Sequence, residues 1–150
     1  MTRRTDGFST TIEEAGVSDA SIVRSFYAAM GKGELDAALA HVAPDCAWTE
    51  MDGLAAGRTY HGPDEIRDGV FIRIGSEWDG FGLALDDVLD AGDTFVGLGS
   101  YTGTHRATGG RLEARVAHVF RVRDGAIVRF EQFADTSRIK AAAAGGANPA

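Results

Sequence analysis

An imidazole set among apolar residues on a strand, with a carboxylate across from it, can move a proton or hold a polar ligand in one orientation. In the stretch 111–135, RLEARVAHVFRVRDGAIVRFEQFAD, the residues suited to this are His118 and Glu131. Asp124-Gly125 lies between two alternating apolar runs, the signal of a tight hairpin whose primed turn needs positive φ at its centre. Counting outward from a two-residue turn pairs Arg123 with Ala126, Phe120 with Arg129, His118 with Glu131 and Val116 with Phe133. One face would then carry Val116, His118, Phe120, Val122, Ile127, Arg129, Glu131, Phe133 and Asp135. A mostly apolar face that also holds an imidazole opposite a carboxylate reads as a pocket wall. The other face would carry Ala117, Val119, Arg121, Val128, Phe130 and Gln132.

A second carboxylate, Glu50, falls on a strand over 46–51, where Cys46, Trp48 and Glu50 share a side. Burial beside Trp48 would raise its pKa into the range of a general base. Each residue also has a plainer reading. Glu50 could be a rim carboxylate in water, His118 a hydrogen-bonded core histidine, and Glu131 a surface partner of Arg129. Asp135 precedes Thr-Ser and is equally an N-cap. Tyr27 and Tyr60 are placed to bring hydroxyls to the pocket mouth, with Trp48, Trp78, Phe120 and Phe133 as wall or core. Cys46 is a small apolar filler. The four histidines have no i, i+4 pair, and no glycine cluster matches a phosphate cradle, so neither metal nor other cofactor is expected.

These residues need elements to hold them. Ser18 offers an N-cap, and Ile22, Val23, Phe26, Tyr27 and Met30 form a helical stripe ending at Gly31 and Gly33. Leu35, Ala38, Leu39 and Val42 predict a second helix stopped by Pro44. The run GPDEIRDGVFIRI, with Pro63 at a first helical position and acids in the first turn, predicts a third. From Trp78 the period becomes two. Phe81, Leu83, Leu85 and Leu89 are expected on one face of a strand, and 94–104 returns antiparallel to it. Gly97, Gly99 and Gly103 share a face there, a sign of curvature, a bulge or close backbone contact. Residues 136–144 read as a last short helix or frayed tail. Helices followed by an antiparallel meander predict an α+β fold.

The chain has 150 residues, 44% of them hydrophobic, enough for one domain. The expected division is a loose arm over 1–17, a single domain over 18–140 and a disordered tail over 141–150. Fifteen basic against twenty-two acidic residues leave a net charge of −7, which argues against nucleic acid or an anionic membrane as partner. A lone cysteine and no apolar run after Arg3-Arg4 suggest a cytoplasmic protein without a secretory signal.

The pieces IVRSFYAAMGKGELDAALAHVAPDCAWTE, TYHGPDEIRDGVF and AHVFRVRDGAIVRFEQFADT, in that order, resemble the SnoaL-like and ketosteroid-isomerase-like proteins of the nuclear-transport-factor-2-like superfamily. The resemblance implies a cone-shaped curved antiparallel sheet with three N-terminal helices on its concave side and a pocket inside the cone. It implies a homodimer paired through the outer sheet face, covering Val119, Phe130 and Gln132. Glu50 matches the proton-shuttling carboxylate of the ketosteroid isomerases. His118, two residues before Phe120-Arg121, stands where those enzymes carry a protonated acid, and Phe26 stands where they carry a tyrosine. The expected function is a cofactor-free acid–base enzyme (an isomerase, polyketide cyclase or dehydratase) acting on a hydrophobic carbonyl or polyketide-like small molecule. Glu50, His118 and Glu131 would be its catalytic groups. The alternatives are a noncatalytic hydrophobic-ligand module or an epoxide hydrolase.

Overall fold

The computed structural model describes residues 18–147, so the expected arm over 1–17 lies outside the described residues. Helix α1 (Asp19–Gly31) begins at Ser18, whose side chain accepts the Ser21 N–H, and it buries Ile22, Val23, Phe26 and Ala29. That stripe docks on the sheet, and each large apolar side chain so buried contributes roughly 2 kcal/mol. Helix α2 (Leu35–Leu39) is shorter than expected. Val42 already belongs to strand β1 (Val42–Thr49), and Pro44 is accommodated where the pairing of β1 shifts register between Val42 and Ala47. After β2 (Thr59–His61), one helical stretch runs through α3 (Gly62–Ile66), a π-helical segment (Arg67–Ile72) and α4 (Arg73–Glu77).

Four long strands follow: β3 (Trp78–Asp90), β4 (Thr94–His105), β5 (Arg111–Arg123) and β6 (Ala126–Ala134). The sheet is curved and unclosed, with strand order β2-β1-β6-β5-β4-β3. Its pairs are antiparallel except β1–β6, which is parallel because the chain returns to the middle of the sheet after the excursion through β3 to β5. The expected α+β class therefore holds, with one parallel pair added. Shifts of register in β3, β1 and β6 supply curvature, since an extra residue on one strand bends it.

The β5–β6 hairpin turns at Asp124-Gly125, both at positive φ. Arg123 faces Ala126 and Val122 faces Ile127, as counted from the turn, but then Arg121 faces Arg129. Val128 is the extra residue of a bulge, and it reverses the phase of everything beyond it. His118 therefore faces Gln132, Val119 faces Glu131 and Ala117 faces Phe133. A bulge likewise displaces the apolar face of β3: Val88 is buried, while Leu85 and Leu89 are exposed.

Helix α5 (Thr136–Ala143) starts at Asp135, which accepts the Arg138 N–H. Ala142 is fully buried in a small cluster with Trp78, Tyr101, Leu112, Ala114 and Val116, and Ala147 bridges to Arg111. The chain is thus part of the fold through 147, contrary to the expected unstructured tail from 141. Among the described residues no helix is long and apolar enough to cross a membrane.

Candidate functional site

Between α1, the stretch from α3 to α4 and the concave face of the sheet lies a cavity of about 860 Å³. Its wall is mainly apolar and aromatic, including Phe26, Trp48, Phe71, Trp78, Phe81 and Phe130. Trp48 stacks on Phe130 with ring centroids 3.7 Å apart and meets Phe71 edge-on. Its polar lining is Glu50, Tyr27, Tyr101 and His118, with Arg24 and Arg106. Glu50 is the one carboxylate among the lining residues described.

Alternation on β1 carries Cys46 and Trp48 inward and Glu50 after them, so Trp48 and Glu50 are neighbours on one face. Trp48 Nε1 donates to Glu50 Oε2 at 2.9 Å. Burial of Glu50 raises its pKa from 4.5 to about 7, and the indole bond, which lowers it, offsets only part of that. A carboxyl so poised is divided between acid and base near neutrality.

His118 is buried with both ring nitrogens engaged. Nδ1 lies 2.8 Å from the Tyr27 hydroxyl and Nε2 lies 2.6 Å from the Tyr101 hydroxyl. Burial lowers its pKa to about 3, so the ring is neutral at any physiological pH. Burial raises both phenols as well, for Tyr101 with the nearby Glu50 charge adding to it. Gln132 completes the cluster: its Oε1 accepts the Met51 backbone N–H at 3.1 Å, which fixes the amide orientation, and its Nε2 donates to the Tyr101 hydroxyl at 3.0 Å.

Two neutral phenols and one neutral imidazole hold three exchangeable protons, and the two bonds joining them use two. One phenolic O–H is left over at one end or the other, on the wall that Glu50 also lines.

Of the residues singled out from the sequence, Glu50, His118, Phe26, Tyr27, Trp48 and Trp78 line the cavity. The others do not. Glu131 is opposite Val119 on the outer face, so it neither orients His118 nor faces Glu50. Phe133 is 43% exposed on that outer face. Asp135 caps α5, Val116 is buried beneath the same helix, and Phe120 is packed in the core against Phe26, Tyr27 and Phe130. Tyr60 points away, its hydroxyl donating to the Ala56 carbonyl while its ring lies against Gly69. One displaced residue, Val128, accounts for Glu131, Phe133 and Asp135 together.

Tyr101 and Gln132 were missed, although signals for both exist. Tyr101 shares the parity of Gly97, Gly99 and Gly103, the face where small residues leave room. On β6 one phase holds Arg129 and Glu131 and the other Phe130 and Gln132; the phase without charges is the inward one.

The sequence matches the model of the SnoaL-like domain over residues 23–130. Among solved structures, it is similar to an NTF2-like protein from Burkholderia thailandensis E264, with 48% identity and TM-score 0.82 over 83% of this chain and 96% of that one. A second NTF2-like protein, of unknown function, from Burkholderia pseudomallei K96243 is 33% identical with TM-score 0.73, covering 81% and 93%. IdmH, a putative polyketide cyclase from Streptomyces antibioticus, shares the fold at 20% identity and TM-score 0.68, covering 83% and 97%. A comparison with curated proteins finds no match. Sheet order, cavity and sequence match agree, and the chain belongs to the SnoaL-like domain family of the NTF2-like fold.

Proposed function

We propose that this protein is a cofactor-free acid–base catalyst that moves a proton at the carbon next to a carbonyl group, on a hydrophobic, polyketide-like small molecule. The observation that carries this reading is a base and a spare hydrogen-bond donor facing one apolar hollow: Glu50, poised near neutrality, and the uncommitted phenolic proton of the Tyr27–His118–Tyr101 chain. Glu50 takes the proton from carbon and can return it at a neighbouring position, giving isomerisation, or it can initiate cyclisation or loss of water. The phenol donates to the oxygen as negative charge grows there. Away from bulk water such a fixed donor stabilises that charge more strongly than solvent does.

His118 has a different part from the one expected. It is neutral with both nitrogens bonded to tyrosines, so it holds the phenols rather than donating to substrate itself. A single carboxylate among the described lining residues favours a one-base proton transfer over an epoxide hydrolase that needs two. The substrate class draws support from the aromatic wall, and from fold neighbours that include a putative polyketide cyclase and TerC co-crystallised with polyporic acid. The protein is further proposed to pair with a second copy through the outer sheet face, where Phe133, Ala117 and Leu98 lie side by side on neighbouring strands.

The test is deuterium exchange next to the carbonyl in a panel of cyclic and polycyclic aromatic ketones, followed by NMR. The protein should accelerate exchange in at least one compound, increasingly as pH rises through 7, where Glu50 loses its proton. Glu50→Gln should abolish exchange while the compound still binds. Equal exchange in the variant, or binding without exchange across the panel, would leave a ligand-holding module instead.

A further inference from the structure

The proton count leaves open which phenol keeps the free O–H, and the cluster itself contains the deciding group. Gln132 cannot rotate its amide without losing the Met51 N–H, so it presents Nε2–H, a donor, to the Tyr101 oxygen. Two polarities then remain. If His118 also donated from Nε2 to Tyr101, that oxygen would accept two N–H bonds while its own proton found no partner among the described residues. Tyr101 is only 7% exposed, so a donor left unmade there loses its bonds to water with nothing in return. If Tyr101 instead donates to Nε2, every group in the chain is satisfied in turn: Gln132 to Tyr101, Tyr101 to His118 Nε2, His118 Nδ1–H to the Tyr27 oxygen. The leftover proton then sits on Tyr27, the less buried of the two phenols.

We infer that Gln132 is a positioning residue that sets the direction of this hydrogen-bond chain, fixing His118 as its Nδ1–H tautomer and making Tyr27 the phenol that offers its O–H to the cavity. The chain is cooperative: each donor is polarised by the bond it accepts, so the last O–H is a stronger donor than an isolated phenol. Gln132 acts at a distance, through two side chains, without touching whatever occupies the cavity. The inference deepens the acid–base reading and rests on it only for the use made of the Tyr27 proton.

The arrangement predicts a reversal. In Gln132→Glu the replaced amide nitrogen becomes an acceptor when the new carboxyl is ionised, while the other oxygen still takes the Met51 N–H. Tyr101 would then donate to the new carboxylate, His118 would donate from Nε2 to Tyr101, and Tyr27 would donate to Nδ1. Every bond in the chain changes direction with almost no change of shape.

The test is nitrogen-15 NMR of the histidine ring in the full chain without ligand, read at alkaline pH. The wild type should show His118 protonated at Nδ1 and bare at Nε2, and Gln132→Glu should exchange the two assignments. Tyr27→Phe should leave the tautomer as in the wild type, since Tyr101 still donates to Nε2, whereas Tyr101→Phe should lose the preference. A wild-type ring protonated at Nε2 would overturn the inference, and a Gln132→Glu ring that stays protonated at Nδ1 would remove Gln132 from control. Neither result involves Glu50 or turnover. Failure here leaves the deuterium-exchange experiment standing, and failure of that experiment leaves the tautomer result standing.

Discussion

At the scale of single residues, the site depends as much on an absent atom as on those present. Gly97 pairs with His118 across β4 and β5, and a Cβ built on Gly97 would fall inside the Tyr27 hydroxyl, far below contact distance. Glycine in a strand weakens it, yet here it is what allows a phenol on α1 to reach an imidazole on β5. Gly97→Ala should therefore displace Tyr27 and break its bond to His118. Overpacking of this kind typically costs about 1–3 kcal/mol, which urea unfolding would read. Loss of the Tyr27-dependent donor should accompany it, seen as slower exchange in the ketone assay. A variant as stable and as active as the wild type would show that the glycine face does not hold the tyrosine.

At the scale of elements, legibility divided along one line: periodicity could be read, and a break in periodicity could not. The α1 stripe, the inward parity of Trp48 and Glu50 and the Asp124-Gly125 turn were all visible, because each is a repeat or a local conformational need. The bulge at Val128 was not. It adds one residue, carries no compositional mark, and turns the remaining strand over, sending Glu131 and Phe133 outward and bringing Phe130 and Gln132 in. The same event alters the outer face. Phe130 stacks on Trp48 and Gln132 binds Tyr101, so neither is available to a second copy, whereas Phe133 stands exposed beside Ala117. If the outer face pairs two chains, Phe133→Asp should convert a dimer to a monomer in sedimentation velocity. It should leave the fold intact, because Phe133 has no place in either buried cluster. A monomeric wild type would end the pairing proposal.

For the whole molecule, two buried titratable groups with opposite displacements shape the response to pH. Glu50 is raised from 4.5 to about 7, so folding favours its neutral form, and stability falls as pH rises between those values. His118 is lowered from 6.5 to about 3, so folding again favours the neutral form, but here stability falls as pH drops between those values. From pH 4.5 to 6.5 the unfolded chain binds a proton at His118 that the folded chain does not, and the folded chain holds one at Glu50 that the unfolded chain has lost. The two slopes cancel. Glu50→Gln removes one of them, and over these two pH units its stability should rise by about 2 kcal/mol relative to the wild-type trend. Urea unfolding of both proteins at pH 4.5 and 6.5 reads this difference. Parallel trends would mean that Glu50 titrates in the fold as it does in water.

The C-terminal helix gives the architecture a dependency that the position of the pocket alone would not suggest. Tyr101 shares its buried cluster with Ala142, and Ala147 pairs with Arg111 at the start of β5. The last described turns of the chain therefore share a buried cluster with a phenol some forty residues upstream. Clipping the protein just after Ala134 would spare every polar group of the cavity and still strip Ala142 from the cluster that buries the Tyr101 ring.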